Sequence, residues 1–163
     1  MDWSLVLISV FGIFIPALML PGPDFVAVVR SSTMRGARAG LLTTIGVSLG
    51  LGFYATLSLL GLSAILIEYQ KLAWLIRILG CSYLTWLGIR LIFAKPVDLD
   101  LNNEGARPAG SAFLFGFLVT LTNPKAIVIF TGVFATAVTE AMPVSFMMLM
   151  VALVMTASLV WYT

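Results

Sequence analysis

Histidine is absent from the 163 residues, and Cys81 is the only cysteine. The first absence removes imidazole metal ligands, Ser/His and Cys/His nucleophile pairs and any histidine proton relay. The second excludes an internal disulfide and a cysteine-based metal cluster. Charge is scarce too. Charged residues make up 10% of the chain and apolar residues 61%, with a mean hydropathy of +1.10. Soluble domains hold about 25% charged and about 45–50% apolar residues, so this chain cannot clothe a water-facing surface. A net charge of +2 without a long basic run leaves no footprint for nucleic acid. An intramembrane enzyme fails on inventory, lacking His and a second buried Asp, and no cofactor or metal is expected. What remains is an integral membrane protein.

What the sequence does have is long apolar runs. Crossing a bilayer core takes roughly 20 helical residues. Residues 3–23, 39–67 and 141–163 are uncharged, and 109–139 holds one charge, Lys125. Residues 72–94 carry only Arg77 and Arg90, near the two ends, where long arginines snorkel to the interface. Five spans result. The first lacks the basic start and small-residue cleavage pattern of a signal peptide, and no run alternates as a transmembrane barrel strand would. The expected fold class is all-α, a polytopic membrane helical bundle in the lipid bilayer. Arg30, Arg35 and Arg38 follow the first span, and Arg90, Lys95 and Arg107 flank or enter the segment after the third. Cytoplasmic loops are enriched in Lys and Arg, which places these two loops inside and the N-terminus outside.

Residues 95–110 form the one extended polar stretch, rich in Pro, Gly, Asn and acids, and read as a cytoplasmic linker. It separates a three-span unit (1–94) from a two-span unit (111–163). The two units begin alike. Span one runs into Pro21-Gly22-Pro23-Asp24, and span four into Asn123-Pro124-Lys125. Aligning Pro23 with Pro124 also pairs Phe14 with Phe115 and Leu20 with Leu121. A second copy of a three-span unit is necessarily inverted. Inverted repeats with paired Gly/Pro interruptions are the sequence pointer to a secondary transporter. On this reading the second repeat is incomplete, lacking its last transmembrane helix, so the chain is either a fragment or a five-span form.

The two breaks carry the candidate chemistry. Pro21 and Pro23 cannot donate backbone hydrogen bonds, and Gly22 tolerates unusual backbone angles, so the first helix should open there. Asp24 then has two readings: a cap for a half-helix over 25–34, or a carboxylate on a transport path that meets a proton or a substrate amine. Pro124 interrupts a span over 111–136, and Asn123 can bond the loosened backbone. Lys125 lies about 14 residues, or ~21 Å, into that span, too deep to snorkel from the near side. It is either a fixed internal counter-ion or a contact for a substrate carboxylate. Counting rise along straight helices puts Asp24 near the cytoplasmic side and Lys125 beyond the midplane. Unless kinks or unwinding bring both toward the centre as a direct pair, the two breaks should flank a central cavity from opposite sides, one near each gate.

Glycines supply packing faces: Gly46 and Gly50 in span two, with Gly52 continuing the face, and Gly80 with Gly88 in span three. These faces are compatible with a homodimer. Thr43, Thr44, Ser48, Tyr54 and Tyr83 read as interhelical hydrogen bonds or as liners of a polar path.

Together these motifs resemble a known family. Pro21-Gly22-Pro23-Asp24, then Arg30, Arg35-Gly36, Ala39-Gly40, Gly46 and Gly50, is similar to the amino-terminal signature of the LysE/RhtB family of amino-acid exporters, with a homoserine/threonine leaning. Residues 79–84 with 87–91, and Gly116-Phe117 through Leu121-Thr122-Asn123-Pro124-Lys125-Ala126, resemble its third and fourth spans. The resemblance implies a bacterial inner-membrane exporter of amino acids or close derivatives, driven by proton exchange and alternating access. Pro21, Gly22, Pro23 and Pro124 would be hinge or gate residues, and Asp24, Asn123 and Lys125 would bind substrate or proton. The alternative is an inactive or partner-dependent membrane fragment or scaffold subunit.

Overall fold

The computed structural model describes residues 2–59, 78, 82, 89, 110–134 and 142–163. The expected third span, most of the 95–110 linker, Gly80, Gly88 and Tyr83 lie outside the described residues. The described elements are all helical. α1 (Trp3–Met19) and α2 (Pro23–Arg35) are separated by a short break, and α3 (Ala37–Leu57) follows at once. α4 (Gly110–Leu121) and α5 (Pro124–Ile129) form a second broken pair, continued by a π-helical turn at Phe130–Phe134. α6 (Val144–Tyr162) closes the series.

α3 is the central element. Ala39, Gly40, Thr43, Gly46, Val47, Gly50 and Ala55 are buried around its circumference, and their small size admits neighbours on several sides. The closest neighbour is α4. A Cβ on Gly46 would collide with the carbonyl of Phe113, and one on Gly116 with the carbonyl of Thr43. A Cβ on Gly50 would sit 2.8 Å from the Thr120 side chain. Gly46 and Gly50 thus lie on the face of α3 that meets α4, where backbones approach closely. Gly52 instead faces Met155 of α6. Between α2 and α3 the chain turns at Gly36, whose φ of 84° suits glycine.

α6 buries a single stripe, Met150, Val154, Ser158 and Tyr162, four residues apart on one helix face. Its other side exposes Met148, Leu149, Leu153 and Val160, as α1 exposes Leu5 and Ile8. So much outward apolar surface suits contact with lipid. α3 and α6 are each long and apolar enough to cross a membrane, and each bent pair suffices if taken as one span. Four of the five expected spans therefore have described counterparts. Aromatic rings fill the space beside the breaks: Phe130 and Phe134 lie 4.6 Å apart, and Phe14 meets Phe134 edge-on at 5.9 Å. An apolar groove of about 300 Å³ on Thr56, Val144, Met148, Val151 and Met155 includes none of the candidate residues.

Candidate functional site

A helix running on through residue 21 would satisfy the Ala17 carbonyl with the N–H of residue 21, which is proline and has none. Lys125 supplies the missing donor. Its Nζ donates to the carbonyls of Ala17 at 3.1 Å and Leu20 at 3.0 Å. A cation at the carboxyl end of α1 is also favoured by the helix dipole. Gly22 makes room, since a Cβ there would stand 3.2 Å from the ammonium.

The second break is repaired similarly. Pro124 removes the N–H that the Thr120 carbonyl would take, and the Asn123 N–H bonds that carbonyl instead, at 3.0 Å. The Leu121 carbonyl, four residues before Lys125, accepts the Tyr54 hydroxyl at 2.7 Å. The Lys125 N–H goes to Asn123 Oδ1 at 3.0 Å, so Asn123 caps α5.

Asp24 does not cap its own helix. Pro23, whose fixed φ suits a first helical position, begins α2 one turn-entry earlier than expected, and Gly22 occupies the cap. The Asp24 carboxylate reaches across to the other break. Oδ1 accepts the Thr120 hydroxyl at 2.9 Å and Oδ2 accepts the Asn123 amide at 2.7 Å. Asp24 and Asn123 are each only 1% exposed, and Lys125 is 6% exposed. Such burial of two opposite charges is tolerable only because each is hydrogen-bonded.

The two breaks therefore meet, rather than standing one near each gate. The chain bends by 46° between α1 and α2 and by 51° between α4 and α5. A rise counted along straight helices misses both bends. Asn123 joins the two charges, holding Asp24 through its amide and the Lys125 backbone through its carbonyl. The Thr120 hydroxyl also lies 3.1 Å from the Gly116 carbonyl, and it has one proton to give.

Of the candidate residues, Pro21, Gly22, Pro23, Asp24, Asn123, Pro124 and Lys125 are brought together, and Thr120 joins them without having been singled out. The hydroxyls of α3 make interhelical bonds. Thr43 approaches the Ala112 carbonyl at 3.3 Å, Thr44 donates to the Tyr162 carbonyl at 3.1 Å, and Ser48 meets Ser158 at 2.8 Å. Among the described residues no group of three His, Cys, Asp or Glu could hold a metal ion.

The model of the LysE type translocator family matches residues 15–163. The chain belongs to the LysE type translocator family. Its members are translocators and not enzymes. The chain is 31% identical over 163 residues to the threonine efflux protein of Escherichia coli (strain K12), covering 96% of this chain and 78% of that relative. It is 33% identical over 162 residues to the threonine efflux protein of Salmonella typhi, covering 95% and 77%. The leucine efflux protein of Salmonella choleraesuis (strain SC-B67) is 30% identical over 118 residues, covering 72% and 56%. No solved structure gives a significant match.

Proposed function

We propose that the chain exports amino acids or close derivatives across the bacterial cytoplasmic membrane in exchange for protons. The observation that carries this reading is the meeting of the two proline breaks. One buried acid and one buried base sit there, linked by Asn123, in a member of a translocator family. A zwitterionic substrate presents the complementary pair, an ammonium for Asp24 and a carboxylate for Lys125. The Lys125 ammonium gives two N–H groups to the α1 carbonyls and keeps a third. Neutral or hydroxylated amino acids are the favoured class, since the similar proteins include threonine and leucine efflux proteins.

Pro21, Gly22, Pro23 and Pro124 act as the hinges of alternating access. At the first break the replacement bonds come from the Lys125 side chain, which can rearrange without unwinding a helix. Asp24 carries the proton, alternating between ionised and protonated forms as the Thr120 proton moves. The N-terminus lies outside and the arginine-bearing turn after α2 lies inside. The glycine faces of α3 expected to suit a homodimer are filled by α4 and α6 of the same chain, so a pair of copies would meet through another surface.

The test loads cells with dipeptide-derived labelled threonine and follows efflux with and without an uncoupler. Uncoupler-sensitive efflux that Asp24→Asn abolishes is expected. Full gradient-dependent export by Asp24→Asn would sink the proton role. Absence of efflux, with co-purification of a small single-span protein, would favour a scaffold subunit instead.

A further inference from the structure

At the crossing, α2 packs against α4, whereas α1 meets the π-helical turn that follows α5. The two sides are closed differently. α2 and α4 both pack on α3 at glycines: a Cβ on Gly40 would collide with Ser32 of α2, and one on Gly46 with the Phe113 carbonyl of α4. Glycine there leaves α3 no side chain to swing aside. On the α1 side the closure is made of rings. Phe14 lies 5.9 Å from both Phe130 and Phe134, and Phe11 lies 6.4 Å from Phe134. Phe14, Phe130 and Phe134 are fully buried, so this side is closed to water. Phe130 and Phe134 begin and end the π-helical turn, a rare geometry that recurs at functional sites.

Two side chains near the carboxyl end of α3, four residues apart on one face, hold this turn. The Ser58 hydroxyl donates to the Phe130 carbonyl. Tyr54 lays its ring on that of Phe130, with centroids 6.0 Å apart and planes 11° from parallel. The Tyr54 ring is itself tethered, because its hydroxyl donates to the Leu121 carbonyl at 2.7 Å. Leu121 precedes the Pro124 break and Phe130 follows it. Tyr54 and Ser58 therefore grip the chain on both sides of the second break.

We propose that the turn Phe130–Phe134 is a gate on the α1 side of the crossing, and that Tyr54 and Ser58 latch it shut against α3. Opening swings α5 and its turn about Pro124. The Ser58 bond breaks and the Phe130 ring leaves the face of Tyr54, while Tyr54 stays tethered to Leu121. The rings of Phe130 and Phe134 then part from Phe14, and water reaches the crossing from that side. The assignment rests on the export reading above, which requires Asp24 and Lys125 to face each side of the membrane in turn. It adds the element that moves and the residues that restrain it.

The experiment follows the opening through a buried thiol. Cys81→Ser removes the chain's one native thiol, and Ala126→Cys places another between Lys125 and the rings, where the residue is 2% exposed. A second chain carries Ala112→Cys instead, at a fully buried position of α4 whose carbonyl Thr43 approaches. Each purified full chain in detergent meets a water-soluble cationic methanethiosulfonate, with the latch intact, with Ser58→Ala and with Tyr54→Phe. A buried thiol reacts from the open form, so the labelling rate follows the open population. Ala126→Cys should label slowly with the latch intact and about fivefold faster with either latch variant, the effect of losing one hydrogen bond. Ala112→Cys should not respond. Equal labelling of Ala126→Cys with and without the latch overturns the proposal, as does no labelling in any chain. A similar rise at both thiols also overturns it, because the whole bundle has then loosened. Export is read separately, from the chain with its latch intact in sealed vesicles. If that chain moves neither threonine nor leucine while its Ala126→Cys thiol obeys the latch, the export reading is overturned and the gate is not.

Discussion

At the scale of single residues, the site is a set of exchanges in which another donor, side chain or backbone, supplies what a proline withholds. Lys125 is the clearest case, since the Ala17 carbonyl has no helical donor once residue 21 is proline. Lys125→Met keeps the length of the side chain and removes the ammonium. The Ala17 and Leu20 carbonyls then lose their donor, at a cost of about 1–3 kcal/mol. A lower melting temperature in detergent and loss of threonine efflux are the expected outcomes. Thr120→Val tests the other charge. It removes the donor to Asp24 Oδ1, and uncoupler-sensitive efflux should fall severalfold, with Thr120→Ser restoring it. An equal fall in both variants would show that volume at this position matters and the hydroxyl does not.

At the scale of elements, the breaks are legible from Pro21, Pro23 and Pro124, because a missing N–H is a property of the residue itself. The partners that repair them are less so. The rule linking a carbonyl to the N–H four residues on marks Ala17 as orphaned by Pro21, but nothing local says that Lys125 will find it. Thr120 gives no local sign of its partner either, since a hydroxyl in an apolar helix takes its meaning only on assembly with Asp24. Thr120 does sit four residues before Pro124, where a freed carbonyl is expected. Pro21→Ala returns an N–H to the Ala17 carbonyl and competes with Lys125. Efflux should drop while thermal stability holds or rises, as expected if the broken helix is a hinge. The α3–α4 crossing calls for the opposite signature. Gly116→Ala forces a Cβ against the Thr43 carbonyl, backbone that cannot step aside, and should lower stability by about 1–3 kcal/mol or more. Folded yield and melting temperature in detergent measure it.

At the scale of the whole molecule, composition already dictates a helical membrane protein, and four apolar stretches become helices or bent pairs that are long enough to span. The distance between Asp24 and Lys125 was the misleading part. Rise per residue is a sound ruler only along a straight axis, and two bends near 50° fold the ruler at the two places that matter. Among the described residues, the buried acid and base are joined through Asn123 at one crossing, and α1 and α6 turn large apolar side chains outward. The proposed exchange of a zwitterion for a proton would use this crossing. The decisive measurement places the purified chain in sealed vesicles, imposes a pH gradient and follows labelled L-threonine. Accumulation against its own gradient, abolished by an uncoupler and by Asp24→Asn, is the expected result. Threonine movement that only equilibrates, unaltered by the pH gradient or by Asp24→Asn, would contradict proton-coupled export.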